Sequence, residues 1–252
     1  MKTINELNSD IKFCHFTSTE NARNILSTGT FYLNKFNAMN DLEEARLHED
    51  EKDKIFCLSF CHSEALNIPL FYLYGGIDGK GCRLQFTSTK IKEILSNSTL
   101  YYVNKNNVRL RKVVDKSNYS IDFDWIYYVA SAGYCEYKNK TKTEFQTLQD
   151  ALEKLRFKGK HYFVKNPVWK FEKEFRIIVK FTESIHYDKI ALQFNIKDNE
   201  KSISLICGPE CKKEEVEIIK EEFSEYGITK VSSSTTNTIS MRLCQRNKNM
   251  RG

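Results

Sequence analysis

Two glutamates and an arginine alternate within the segment 168–179, and these residue types are the best suited to chemistry in this sequence. The alternation of apolar and charged side chains predicts a strand there, and its apolar exit favours a central one. Glu172, Glu174 and Arg176 then share one face, with successive Cα atoms about 7 Å apart. Because two acids on a central strand repel each other, we expect one raised pKa unless Arg176 neutralises the pair. The alternative is the charged outer face of a half-buried sheet.

A second candidate group lies where a predicted strand, residues 12–16, meets a predicted helix, residues 20–27. Thr17 and Glu20 have the spacing of a capping box at the start of this helix. His15 therefore ends the strand beside a helix N-terminus, whose amides and dipole attract an anion. A satisfied structural histidine is the competing interpretation.

Polar residues also cluster in the segment 37–44, which predicts a turn that opens a short acidic helix. Asn40 or Asp41 is expected to be its N-cap. The capping role explains one of these polar side chains and leaves the others as candidate binding groups.

The elements that must position these residues predict the fold class. Predicted strands outnumber predicted helices and do not alternate with them, which favours an α+β fold with a mixed, mainly antiparallel central sheet flanked by helices. The clearest amphipathic helices cover residues 143–157 and 212–226. We expect a single domain over residues 1–244 and a flexible basic tail over residues 245–252.

Composition restricts the location of the protein. The sequence lacks a run of about 18 apolar residues, and residues 1–11 lack the apolar core of a signal peptide. We therefore expect a cytoplasmic protein without a membrane segment. The eight cysteines are then expected to be free thiols. A zinc site formed by Cys57, Cys61, Cys207 and Cys211 is the less favoured alternative, because the spacing is wider than in a usual knuckle.

The net charge of +6 includes two basic clusters, in residues 105–116 and 138–142. Such clusters are usually solvated faces. The alternative is a patch that follows a phosphate backbone, with nearby tyrosines for stacking on bases.

Several segments along the chain resemble a prokaryotic family known only as domain of unknown function 2971. They are His15-Phe16-Thr17-Ser18 with Ile25-Leu26-x-x-Gly29; Phe36-Asn37-Ala38-Met39-Asn40-Asp41-x-x-Glu44; Leu58-Ser59-Phe60 with Phe71-x-x-Tyr74 and Gly81; Lys165-x-x-x-Trp169-x-x-Glu172-x-Glu174-x-Arg176; and Ile206-Cys207-Gly208-Pro209. Leu42 and Phe71 depart from the family pattern, which has proline and tryptophan at those places.

The first segment is also similar to the NAD-binding opening of ADP-ribosyltransferases, which end with a strand carrying a catalytic glutamate, often in a Glu-x-Glu pair. This resemblance implies an ADP-ribosyltransferase-like fold. It implies that His15 contacts the adenosine-side ribose, that Tyr32 or Phe31 stacks on nicotinamide, and that Glu174 acts at the reacting ribose. Glu172 would orient or deprotonate the acceptor. The candidate NAD-binding residues further include Thr17, Ser18, Asn40, Asp41, Tyr74 and Arg176. Arg176 would pair with one of the two glutamates or with pyrophosphate.

The function implied is that of an NAD-consuming ADP-ribosyltransferase or NAD glycohydrolase, with NAD as substrate and without a metal. The protein would be a toxin or antiphage defence effector acting on nucleic acid or protein, with an antitoxin or regulator as partner. One alternative is a nuclease in which Asp41, Glu44, Glu172 and Glu174 bind Mg²⁺. The other is a non-catalytic nucleotide-binding regulatory module. The transferase hypothesis requires residues near positions 15, 40 and 174 to converge on one cleft.

Overall fold

The computed structural model describes residues 11–38, 51, 53–62, 67–104, 106–113, 128–137, 160–181, 183–196 and 201–234. Its strands are β1 (Lys12–Thr17), β2 (Thr30–Lys35), β3 (Ile55–His62), β4 (Cys82–Thr87), β5 (Thr99–Val103), β6 (Arg109–Lys112), β7 (Tyr128–Tyr134), β8 (Glu136–Tyr137), β9 (Val164–Lys165), β10 (Glu174–Phe181), β11 (Lys189–Gln193), β12 (Ile203–Cys207) and β13 (Val231–Ser233). Its α-helices are α1 (Thr19–Thr28), α2 (Asn67–Tyr74), α3 (Ser88–Asn97) and α4 (Lys213–Ser224), and short 3-10 helices cover Phe36–Ala38, Lys160–Phe163 and Pro167–Glu172.

The chain forms two compact units, and the first is drawn from residues 29–62 and 92–195. Its strands follow the order β7-β10-β3-β2-β11-β5-β6, and every neighbouring pair is antiparallel. β10 lies between β3 and β7, which confirms the prediction of a central strand. β8 and β9 form a separate short parallel pair.

The first unit buries apolar side chains on both faces of β10. Alternate residues from Phe175 to Phe181 are buried on one face. On the other face, Ile178 joins a cluster with Tyr162 and Phe163, so the segment 160–165 packs against this face of the strand. This segment also supplies polar groups to the candidate site.

The second unit is drawn from residues 9–28, 63–91 and 196–252. Its strands follow the order β13-β12-β4-β1, with β12 and β13 parallel and the other pairs antiparallel. α4 connects the parallel pair. α2 packs on β1 through an edge-to-face contact between Phe16 and Phe71, whose ring centroids are 5.1 Å apart.

α1 forms because its apolar residues recur at helical spacing, and Ala22, Ile25 and Leu26 are all buried. The predicted capping box is wrong in register. Thr17 belongs to β1, and Ser18 is the residue whose hydroxyl oxygen accepts from the backbone N–H of Asn21, at 3.1 Å. The helix therefore starts at Thr19, and it ends where Gly29 adopts a φ of 59°.

The predicted α+β class with a mixed, mainly antiparallel sheet is confirmed. The predicted helix over residues 212–226 appears as α4, whereas the predicted helix over residues 143–157 lies outside the described residues, as does the tail 245–252. The single domain over residues 1–244 and its likeness to ADP-ribosyltransferases stay predictions. Within the described parts of the chain, no helix is long and apolar enough to cross a membrane.

Candidate functional site

The predicted strand over residues 168–179 is wrong in its first half. Asn166 caps a 3-10 helix over Pro167–Glu172, with Pro167 in its first turn, and its side-chain oxygen accepts from the N–H of Val168 at 3.1 Å. Lys173 then adopts a left-handed conformation with φ 45° and ends the helix. β10 starts only at Glu174.

The carboxylate of Glu174 is bound through both of its oxygens. Oε1 accepts from the hydroxyl of Ser59 and from Nε of Arg176, the latter at 2.9 Å. Oε2 accepts from Nζ of Lys165 at 2.9 Å and from Nη2 of Arg176 at 3.0 Å. The guanidinium therefore binds the carboxylate with two parallel contacts, which is the strong form of this pair.

Lys165 joins the two glutamates. Its ammonium lies 2.6 Å from Oε2 of Glu172 and 2.9 Å from Oε2 of Glu174. It also lies 4.9 Å from the ring centroid of Trp169, whose π face attracts a cation. The turn at Lys173 makes this arrangement possible, because it brings both carboxylates onto one ammonium.

Arg176 connects the cluster to the segment 160–165. Its Nη1 donates to the backbone carbonyl of Tyr162 at 2.7 Å, and its guanidinium carbon lies 5.4 Å from the ring centroid of Phe36. A second polar contact follows on the same face of β10, where Nζ of Lys180 donates to the hydroxyl of Tyr162 at 2.8 Å. Tyr162 thus binds two cationic side chains of one strand.

We call Lys165, Glu172, Glu174 and Arg176 the charge cluster. Their exposed fractions are 4%, 1%, 2% and 0%, and their two positive and two negative charges sum to zero. Buried charges persist when they are paired and hydrogen-bonded in this way, whereas removal of one partner leaves an uncompensated charge. Each of the four side chains therefore depends on its oppositely charged partners.

Burial would by itself raise the pKa of Glu174. The positive charges of Arg176 and Lys165, with hydrogen bonds from Arg176 and Ser59, outweigh burial and lower this pKa to about 2. For Lys165, burial favours the neutral amine, but the charges of Glu174 and Glu172 prevail and raise its pKa. The sequence left open whether the two carboxylates repel each other or Arg176 neutralises them. The structure contains the neutralisation by Arg176, with Lys165 as a second cation.

Two further side chains contact Glu174. The Cys135 thiol lies 3.8 Å from Oε2, and the hydroxyl of Tyr137 accepts from the backbone N–H of Glu174 at 2.7 Å. Burial is the largest cause of a raised pKa for Tyr137, so this hydroxyl stays neutral over the ordinary pH range.

The aromatic candidates on β2 differ in accessibility. Phe31 is buried, stacked on Phe194 at 5.2 Å between centroids and edge-on to Phe60. Tyr32 is half-buried, and by strand alternation and register it shares a sheet face with Ser59 and Glu174. Of the two, Tyr32 is the more accessible.

The other predicted site residues are not among the described residues of the first unit. His15, Thr17, Ser18 and Tyr74 belong to the second unit, with half-buried His15 opposite Leu84. Asn40 and Asp41 lie outside the described residues, as does Glu44. The common cleft for positions 15, 40 and 174 stays a prediction.

The described residues include no group of three or more histidine, cysteine or acidic side chains able to hold a metal ion. The carboxylates of Glu172 and Glu174, which the nuclease alternative assigns to Mg²⁺, are already bound to cations. Cys57 and Cys61 are four residues apart on β3, about 13 Å along a strand, which is too far for both to bind one zinc ion.

The comparisons with known proteins bear on part of the chain. Residues 71–177 match the model of a family described as "Protein of unknown function (DUF2971)". The matched stretch contains the whole charge cluster, and it supports the family resemblance seen in the sequence. No curated protein and no solved structure matches the chain. The resemblance to ADP-ribosyltransferases stays a prediction.

Sequence reasoning assigned no role to Lys165, which belongs to the charge cluster, or to Ser59 and Tyr162, which contact it. Lys165 and Ser59 stand inside the quoted family segments, so that resemblance was the signal that pointed to them. Tyr162 binds Arg176 through its backbone carbonyl, which any residue type provides. No pattern in the sequence therefore indicates that Tyr162 contacts the charge cluster.

Proposed function

We propose that this chain is an NAD-consuming enzyme, an ADP-ribosyltransferase or NAD glycohydrolase, in which Glu174 stabilises the reacting ribose. The observation that carries the proposal is that hydrogen bonds from Arg176, Lys165 and Ser59 hold the carboxylate of Glu174 in its charged form. Cleavage of the nicotinamide–ribose bond passes through an oxocarbenium-like state, which a carboxylate near C1′ stabilises when it is charged.

The neighbours of Glu174 support the same chemistry. Glu172 is bound to the same ammonium and is assigned to orient or deprotonate the acceptor. Tyr32 shares the sheet face of Glu174 and is half-exposed, so we assign it to stack on nicotinamide. Arg176 keeps its pairing role with Glu174.

Access to Glu174 forms part of the proposal, because its carboxylate is only 2% exposed. Lys165 contributes to this cover. NAD binding would draw Lys165 away from Glu174, and the ribose hydroxyls would donate hydrogen bonds in its place.

The acceptor in this proposal is nucleic acid or protein, and the cellular role is that of a cytoplasmic toxin or antiphage effector held by an antitoxin or regulator. The residues that support a nucleic acid are those of the first basic cluster. Arg109 lies 5.6 Å from the ring centroid of Tyr101, a pairing suited to stacked bases and phosphates.

Nicotinamide release from NAD tests the proposal. The decisive variant is Glu174→Asp, which keeps the charge of the cluster but withdraws the carboxylate by one carbon, about 1.5 Å. We expect nicotinamide release by the wild type and a loss of about a hundredfold in Glu174→Asp, with circular dichroism used to confirm that the variant folds. A surface variant, Glu222→Gln, is the control and should retain activity.

Two results would overturn the proposal. One is the absence of both nicotinamide release and NAD binding when nucleic acid and protein acceptors are supplied. The other is full activity of a folded Glu174→Asp variant.

A second candidate is a non-catalytic nucleotide-binding or regulatory module, and the burial of the charge cluster favours it. In this function the four charged side chains fasten the segment 160–172 to β10. Glu174→Gln would then change stability alone, and the wild type would bind a nucleotide without releasing nicotinamide.

A further inference from the structure

One face of the first unit carries tyrosine rings and cations across four neighbouring strands. Residues directly opposite each other in antiparallel strands share a face of the sheet. One such row consists of Tyr32 on β2, Ala191 on β11, Tyr101 on β5 and Lys112 on β6. The two tyrosines are therefore two strands apart, about 10 Å. Both are half-buried and Lys112 is exposed, so part of each of these side chains reaches solvent.

Two further cations on this face lie against the tyrosine rings. The guanidinium carbon of Arg109 is 5.6 Å from the ring centroid of Tyr101. Nζ of Lys189 is 5.9 Å from the ring centroid of Tyr32. Arg109 is exposed, and its Nη2 donates to the hydroxyl of Thr30 at 2.8 Å, which ties the guanidinium to β2. Rings and guanidinium planes are the groups on which the bases of a single strand stack.

The turn between β5 and β6 holds this arrangement together. Asn107 adopts a left-handed conformation with φ 60°, and its side-chain oxygen accepts from Nζ of Lys189 at 3.5 Å. Its backbone carbonyl accepts from the hydroxyl of Tyr32 at 3.4 Å. The turn of one hairpin thus contacts side chains of β2 and β11. The rings and cations are positioned before a ligand binds, which lowers the entropic cost of binding.

The charge of this face is positive. None of the four strands β2, β11, β5 and β6 contains an aspartate or a glutamate. Among the residues that the structure describes, neither Lys112 nor Lys189 has a partner in an ion pair. Asp188, which precedes β11, lies 4.0 Å from Lys35, a residue that alternation places on the opposite face and that also pairs with Asp53. The two lysines therefore favour an anionic ligand.

We propose that this face binds single-stranded nucleic acid. The phosphates lie at Lys112 and Lys189. The bases stack on Tyr101 and on the guanidinium of Arg109, which a single strand allows because its bases are unpaired. Binding of the strand needs no NAD, whereas its use as the ADP-ribose acceptor rests on the function proposed above. Glu174 lies on the same sheet face, four strand spacings or about 19 Å from Tyr101, so a strand of several nucleotides would extend between them.

Fluorescence anisotropy with the full-length protein and without NAD measures this binding. The probes are labelled oligo(dT) and oligo(U) of about 12 nucleotides, within the range of known single-strand sites, and a duplex of the same length. We expect saturable binding of at least one single strand, at least about fivefold tighter than binding of the duplex, which corresponds to one stacked base. The comparison of the two single strands shows which sugar is preferred.

Two variants with matched controls locate the site. Tyr101→Leu should weaken single-strand binding by at least about fivefold, whereas Tyr72→Leu, at an exposed tyrosine of the second unit, should leave it unchanged. Lys112→Gln removes one phosphate contact and should make the slope of log affinity against log salt shallower by about 0.7. Lys220→Gln, at an exposed lysine of α4, should leave this slope unchanged. Circular dichroism confirms the folding of each variant.

Failure of both single strands to bind at low salt would refute this inference. A duplex that binds as tightly, or an oligo-glutamate that displaces the strands equally well, would refute it too, because charge alone would then explain the binding. Unchanged binding by folded Tyr101→Leu counts against it in the same way. The two proposals fail separately, since strand binding is measured without NAD and nicotinamide release is measured without the strand.

Discussion

Ser59 on β3 and Arg176 on β10 lie directly opposite each other in the sheet and donate to the same oxygen of Glu174. One carboxylate is thus held by its own strand and by the neighbouring one. Because the contacts come from different strands, the orientation of Glu174 depends on the pairing of β3 with β10. Any role of this carboxylate in binding or catalysis therefore also depends on the pairing of β3 with β10.

Glu174→Gln should destabilise the fold by about 3–5 kcal/mol, because Arg176 and Lys165 would then share only one carboxylate in a buried site. Denaturant unfolding followed by circular dichroism measures this change. The matched control is Glu222→Gln, which removes one partner of the half-buried surface pair with Arg23 and should cost less than about 1 kcal/mol. Equal effects of the two substitutions would contradict the buried ion pairing.

Acid should weaken the fold through Glu174. Its pKa falls from an ordinary value of 4.5 to about 2 in the folded protein. A carboxyl with a lowered folded pKa contributes stability above its ordinary pKa, here about 3 kcal/mol, and loses it as pH falls towards the folded pKa. We expect the free energy of unfolding to decline between about pH 5 and about pH 2.

Lys165→Met should move this acid transition to higher pH, because one of the two cations that lower the pKa of Glu174 is lost. The measurement is the same denaturant series over pH, with wild type and variant compared. An unchanged transition would show that Lys165 does not act on Glu174.

Ser59→Ala should cost about 1.5–3 kcal/mol, the range for a hydrogen bond to a charged group. Ser204→Ala is the matched control, since its hydroxyl donates to the neutral side-chain oxygen of Gln85 at 3.2 Å and should cost about 0.5–1.5 kcal/mol. Thermal or urea unfolding of both variants gives the comparison. The reverse order of the two losses would count against a charged acceptor at Ser59.

Gly208→Ala should destabilise the second unit by about 3 kcal/mol, near the upper end for overpacking. Its new Cβ would lie 2.1 Å from the carbonyl oxygen of Gly79 and 2.8 Å from that of Gly81, and neither backbone atom can yield as a flexible side chain would. Glu210→Ala in the same turn loses only an exposed hydrogen bond with Tyr72 and serves as the control. Unfolding curves in urea distinguish them, and a neutral Gly208→Ala would refute the close approach.

The sequence predicted most described elements because their patterns are local. Helical spacing of buried residues located α1 and α4, alternation located β10, and the strand predicted over residues 12–16 corresponds to β1. The capping register at Thr17 failed because Ser18, the next hydroxyl residue, is the one that accepts from the first turn of the helix, from the N–H of Asn21. Serine and threonine are both favoured at the N-cap, so the choice between Thr17 and Ser18 depends on where β1 ends.

The candidate site was harder to predict. Glu174 and Arg176 follow strand alternation, and their proximity could be read directly. Glu172 was placed on the same strand because alternation continues through it, but the Asn166-Pro167 start of the 3-10 helix overrides that pattern. Lys165 approaches the pair through tertiary packing of the segment 160–165, which no periodicity in the sequence encodes.

Because Lys173 adopts a left-handed conformation, Glu172 and Glu174 are not a pair of residues on one strand, although the Glu-x-Glu spacing alone would suggest it. Glu172 ends the 3-10 helix and Glu174 starts β10. The left-handed residue between them allows both carboxylates to contact Lys165. An insertion or deletion at Lys173 would separate Glu172 from Lys165 while leaving β10 intact. Searches for related proteins by this motif should therefore require the intervening residue to tolerate a positive φ, as asparagine, aspartate and glycine do, and should disfavour valine or isoleucine there.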